Sequence, residues 1–118
     1  MKKILLVGCF VIAPMFAADV AGNWKLSGKI GDNPLDLTCS MKQASDNKLT
    51  GTCNADQIGE LAITGETNDK NVKWSYKVNY QGQEMTVVYS GTLESPTSMK
   101  GAISVMDQPA GNFTATKQ

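Results

Sequence analysis

From Asn23 to Lys117 the chain alternates apolar and polar residues in short runs. Turn signals separate the runs, at Gly31-Asp32-Asn33-Pro34, Ser45-Asp46-Asn47, Asn68-Asp69, Gln81-Gly82, Ser95-Pro96-Thr97 and Asp107-Gln108-Pro109. A period of two, broken by Gly, Pro, Asn and Asp, is the signature of half-buried strands. The pattern predicts eight of them, over 23–30, 34–43, 48–55, 60–67, 70–80, 83–93, 98–106 and 110–117. No run shows a helical period.

The run from Asn71 to Tyr80 is the clearest. Val72, Trp74, Tyr76, Val78 and Tyr80 share one face, and Asn71, Lys73, Ser75, Lys77 and Asn79 share the other. A two-residue turn at Gln81-Gly82 places Val78 opposite Met85, Tyr76 opposite Val87, Trp74 opposite Tyr89 and Val72 opposite Gly91. A slip of one residue would turn every apolar side chain to the wrong face, so the agreement fixes the register. The loop at Ser95-Pro96-Thr97 likewise pairs Gly91 with Gly101, Tyr89 with Ile103 and Val87 with Val105. A turn at Asn68-Asp69 pairs Gly65 with Val72 and Ile63 with Trp74. The turn after Ile30 pairs Gly28 with Leu37 and Leu26 with Cys39, and the turn around Asp46 pairs Cys39 with Cys53. The expected fold class is all-β, an eight-stranded antiparallel up-and-down meander. It closes most simply as a β-barrel, with a two-sheet sandwich as the other closure.

The first eighteen residues change the picture of where the protein works. Lys2-Lys3, an apolar stretch from Ile4 to Phe16 and small residues at Ala17-Ala18 have the layout of a secretory signal peptide. The expected organisation is therefore a leader at 1–18 and one barrel domain at 19–118, periplasmic or secreted. The apolar stretch is too short for a membrane span, which needs about 20 residues. Cys9 falls within the leader. Cys39 and Cys53 then remain as an even pair in an oxidising space, directly opposed in the hairpin register, and a disulfide is expected between them.

The 118 residues include no His and no Arg. That removes imidazole metal sites and the guanidinium fork that grips phosphate or carboxylate. Without the leader, nine Lys face eleven acids, a mild negative excess with no basic patch for nucleic acid. The acids lie in turns or on the outward register. The inward hydroxyl of Thr67 has no base beside it, so neither carboxylate pair nor nucleophile triad is expected. No enzyme activity, metal or cofactor is expected.

The inward register collects every ring outside the leader, namely Trp24, Trp74, Tyr76, Tyr80, Tyr89 and Phe113, together with Gly28, Gly51, Gly65, Gly91, Gly101 and Gly111. Glycine weakens a strand unless a bend or a neighbour needs the space. Such an interior is either a filled core or a small apolar cavity with tyrosine hydroxyls as polar handles.

Gly22-Asn23-Trp24 at the start of the first strand resembles the calycins, the barrel group that contains lipocalins and avidins. The resemblance implies that Trp24 plugs the closed end. Leu49-Thr50-Gly51-Thr52 is similar to the third strand of avidins, with Cys53 where biotin binders keep an aromatic. The stretch Gly22-Asn23-Trp24-Lys25-Leu26-Ser27-Gly28, followed by Cys39 and Cys53, is also similar to small periplasmic inhibitors of secreted metalloproteases. The reading that results is an exported, non-enzymatic binding module for a small apolar molecule held among Trp74, Tyr76, Tyr89 and Phe113. The alternatives are a protein-binding barrel, such as a secreted-protease inhibitor, and a structural envelope protein with a filled core. No nucleic-acid partner and no membrane span are expected.

Overall fold

Strong alternation produces strands here, and their order is that of the chain. The computed structural model describes residues 20–55 and 59–118; the leader read at 1–18 lies outside the described residues. The strands are β1 (Gly22–Ile30), β2 (Asn33–Gln43), β3 (Lys48–Ala55), β4 (Gly59–Asn68), β5 (Asn71–Tyr80), β6 (Gln83–Ser95), β7 (Ser98–Val105) and β8 (Gln108–Lys117). Each pairs antiparallel with the next, and β8 returns to β1, so the sheet is a closed barrel. The sandwich alternative is thereby set aside.

The β5–β6 register is the expected one, with Val78 opposite Met85, Tyr76 opposite Val87 and Trp74 opposite Tyr89. The β6–β7 register is also as expected, with Gly91 opposite Gly101 and Tyr89 opposite Ile103. Cys39 faces Cys53, their Cα atoms 3.9 Å apart and their sulfurs bonded.

Two hairpins slide by two residues from the expected pairing. In β1–β2 the turn is only Gly31-Asp32, so Gly28 meets Leu35, Leu26 meets Leu37 and Trp24 meets Cys39. Pro34, where the expected strand begins, is the second residue of β2. Its missing N–H is harmless there, because β3 pairs with β2 only from Leu37 onward. In β4–β5 the turn is Asp69-Lys70, with Asp69 at φ +55°, and Gly65 rather than Ile63 meets Trp74. An aspartate tolerates that left-handed backbone better than most residues. Both slides are even, so the inward face is preserved. In the last hairpin the turn is Met106-Asp107, and Gln108 and Pro109 belong to β8. A bulge after Ile103 takes up the extra residue.

The inward face forms one core. Trp24, Leu26, Cys39, Cys53, Trp74, Tyr89, Ile103 and Phe113 are all buried in it. The outward face carries exposed lysines, serines and threonines. An apolar inside and a polar outside is the reverse of a lipid-facing barrel wall. No helix of the described residues is long and apolar enough to cross a membrane.

Candidate functional site

β5, β6 and β8 bring the four candidate rings into one cluster. Trp74 stacks on Tyr89, with centroids 5.2 Å apart and planes 3° from parallel. Phe113 meets both edge-on, at 5.5 Å from Trp74 and 5.4 Å from Tyr89. Tyr76 leans on Tyr89 at 5.6 Å. These are favourable quadrupole geometries, worth about 0.5–1.5 kcal/mol per pair beyond burial. The side chain of Tyr80, also expected inside, lies outside the described residues.

The cluster leaves donors without acceptors among the described residues. The indole N–H of Trp74 is buried and has no partner among the described residues. The hydroxyls of Tyr76 and Tyr89 lie 2.6 Å apart, close enough for one to donate to the other. Two hydroxyls carry two protons, and only one proton fits between them. The second proton and the indole proton both lack an acceptor among the described residues. A buried donor left unpaired costs about 1–3 kcal/mol. The hydroxyl pair escapes a sequence reading that matches only direct partners. Tyr76 and Tyr89 are diagonal neighbours across β5–β6, and that spacing could have exposed it.

The two ends of the barrel differ. At one end Trp24 is fully buried and its Nε1 donates to the carbonyl of Val20 at 3.0 Å. The Val20 N–H donates in turn to Gln43 Oε1 at 2.9 Å, and Lys117 lies over the indole at 5.9 Å. Loops at this end are bonded to neighbouring strands, through Thr67 N–H to Asn47 O, Leu93 N–H to Lys70 O and Lys117 N–H to Thr97 O. Trp24 is thus buried and hydrogen-bonded at one end of the barrel. Val20, absent from the sequence reading, is fully buried beside it. Its position four residues before Trp24 was the available signal.

At the opposite end the inward side chains are Ile30, Leu35, Leu61, Val78, Met85 and Val105, all half-buried. They form an apolar rim around the Tyr76 side of the ring cluster. No lysine of the described residues faces this interior; those from Lys25 to Lys100 are exposed, and Lys117 lies at the Trp24 end. The described acids, from Asp32 to Asp107, are exposed as well.

Burial pushes the pKa of both tyrosines above the ordinary value near 10. For Tyr89 the neighbouring Tyr76 adds to the rise, and for Tyr76 the hydrogen bond with Tyr89 offsets part of it. Both hydroxyls therefore stay neutral donors at physiological pH. Their raised values also set a sign for stability. Below pH 10 both are protonated whether the chain is folded or not. Above it the unfolded tyrosines ionise while the folded ones resist, so stability falls as pH rises. Alkaline denaturation followed by tyrosinate absorbance should show Tyr76 and Tyr89 ionising only as the barrel unfolds. All tyrosines titrating near pH 10 in the folded protein would contradict this.

Comparison with protein-family models gives no match, and comparison with curated proteins gives none. Among solved structures the chain is similar to a redesigned β-barrel, with a TM-score of 0.63 and 16% sequence identity. The match covers 84% of this chain and 91% of that one. At that identity the likeness concerns the fold alone. It defines the class as a small eight-stranded antiparallel barrel, and in strand number and order this agrees with the calycin architecture.

Proposed function

We propose that this barrel is an exported, non-enzymatic binding module for a small, largely apolar and uncharged molecule. The observation that carries the reading is the buried Trp74 N–H with no acceptor among the described residues, beside a tyrosine pair with one proton to spare. A carbonyl or ester oxygen would satisfy these donors. A carboxylate would be buried with no cation near it, which is costly. The apolar rim would cover the rest of the molecule, and burying about 200 Å² of its surface would contribute about 5 kcal/mol. The disulfide-bonded cysteines fit an oxidising compartment.

Titration of the purified protein with retinal, a long-chain fatty-acid methyl ester and the ionised fatty acid tests this. The neutral probes should change tryptophan emission at lower concentration than the ionised one. No response to any of them would remove the reading. Trp74→Phe should then weaken the ester about five- to tenfold, the worth of one hydrogen bond, and leave a hydrocarbon of equal length nearly unaffected. Calorimetry reads both, independently of emission.

The mutual packing of the four rings favours a second reading, a structural barrel with a closed core. In that case Trp74→Phe would raise stability by relieving the unpaired donor, and no probe would bind.

A further inference from the structure

β3 pairs with β4 along the whole length of β3, from Lys48–Glu66 to Ala55–Gly59. β5 does the same with β6, from Asn71–Thr92 to Tyr80–Gln83. Between them the wall is only half built. β4 pairs with β5 through Thr64–Asn68 against Asn71–Ser75, and there the pairing stops. At the same register Ile63 would face Tyr76, Ala62 would face Lys77 and Leu61 would face Val78, but none of these pairs forms. Gly59–Ile63 and Tyr76–Tyr80 are thus two facing strand edges without a shared ladder, within a sheet whose strands close into a barrel.

The point where they part is sharply defined. A Cβ on Gly65 would lie 2.0 Å from the Lys73 carbonyl oxygen and 2.7 Å from the Trp74 Cα. The two backbones are in close contact at Gly65, and the ladder ends one residue further on, at Thr64–Ser75. The split runs to the rim end, and its inward lips are Leu61 and Ile63 on one side and Tyr76 and Val78 on the other. Ile63 and Tyr76 are 2% and 5% exposed, so side chains close the split. A ladder holds the rest of this hairpin, whereas here the buried Ile63 and Tyr76 line the two edges without one. Tyr76, at the edge of the split, carries one hydroxyl of the buried pair.

We infer that the β4–β5 seam is a side port through which an apolar molecule reaches the Tyr76–Tyr89 donors. This rests on the binding reading above. The low exposure of the lips argues against a peptide strand lodged between them, since a strand would hold Ile63 and Tyr76 apart. Opening the port breaks no ladder bond. It needs only rotamer changes at the lips, much faster than strand separation.

A clamp tests the port. Ala62 and Lys77 are exposed on the outer face and would be directly opposed if the seam zipped shut. In the Ala62→Cys, Lys77→Cys variant, oxidation closes the seam. A mild reductant reopens it and spares the buried Cys39–Cys53 bond. Stopped-flow mixing with retinal should show association and dissociation both slowed at least about tenfold in the clamped form, with wild-type rates after reduction. Wild-type rates in the clamped form would refute the port and leave the binding reading intact. Absence of retinal binding to the wild-type protein would remove both. Hydrogen exchange supplies a check independent of the clamp. Seam-facing amides of Gly59–Ile63 and Tyr76–Tyr80 should exchange far faster than those of Thr64–Glu66, and retinal should slow them. Equal protection along β4 in the free protein would overturn the inference even if the clamp failed to form.

Discussion

Replacing Cys39 and Cys53 together by alanine should lower the melting temperature by about 12–24 °C. The two residues are fully buried, fourteen positions apart, and directly opposed across β2–β3. Closing a loop of this size restricts the unfolded chain by about 3 kcal/mol. In a domain of this length each kcal/mol moves the midpoint by about 4–8 °C. Alanine is the sharper substitution, since serine would add a buried hydroxyl with no assured partner. Scanning calorimetry of the double variant, beside the reduced wild type, measures the effect. A midpoint within a few degrees of the wild type would show that the bond contributes little.

Gly101→Ala should be nearly as damaging, and its partner across the sheet supplies the control. A Cβ on Gly101 would lie 1.9 Å from the Ser90 carbonyl oxygen and 2.5 Å from the Gly91 Cα, and both are backbone atoms. The strands would have to move apart, at a cost of about 3 kcal/mol or more. Gly91 faces Gly101 directly, yet its Cβ would press only on the side chains of Phe113 and Met99, at 3.0 and 3.1 Å, with the Lys100 carbonyl oxygen at an ordinary 3.5 Å. Those side chains can yield, and Gly91→Ala should cost about 1 kcal/mol. Urea unfolding of the two variants compares them. Equal losses would mean that the close approach at Gly101 is not what its glycine serves.

Particular residues show how far the sequence reaches. Val72, Trp74, Tyr76 and Val78 match Gly91, Tyr89, Val87 and Met85 so closely that the β5–β6 register was legible, and with it the shared face of three of the clustered rings. The Cys39–Cys53 pairing followed from the same logic. The β1–β2 and β4–β5 hairpins were read two residues off, because alternation repeats every second residue and distinguishes faces better than it distinguishes even slides. In β4–β5 the observed register sets Gly65 opposite Trp74, where the backbones come so close that a Cβ would lie 2.0 Å from the Lys73 carbonyl oxygen, a closeness that alternation does not record.

The seam was not legible at all. Glu60-Leu61-Ala62-Ile63 and Tyr76-Lys77-Val78-Asn79 alternate as regularly as the paired segments do. Whether two such runs bond depends on how the closing barrel distributes its curvature, which no local pattern records. The unpaired Trp74 N–H is hidden for a related reason. A sequence places the ring inside, but the missing acceptor is a property of everything around it.

The two tryptophans lie in separate regions, Trp24 beside Val20 and Trp74 in the ring cluster facing the rim. Emission from the intact protein is therefore a sum of two local reports. Substituting either indole by phenylalanine would isolate the other, one variant watching the Trp24 end and its counterpart the mouth. In each variant the emission curve should superimpose on the same variant's far-ultraviolet circular dichroism curve if the barrel melts as a single cooperative unit. A lag between them would reveal a half-open intermediate and show which end lets go first.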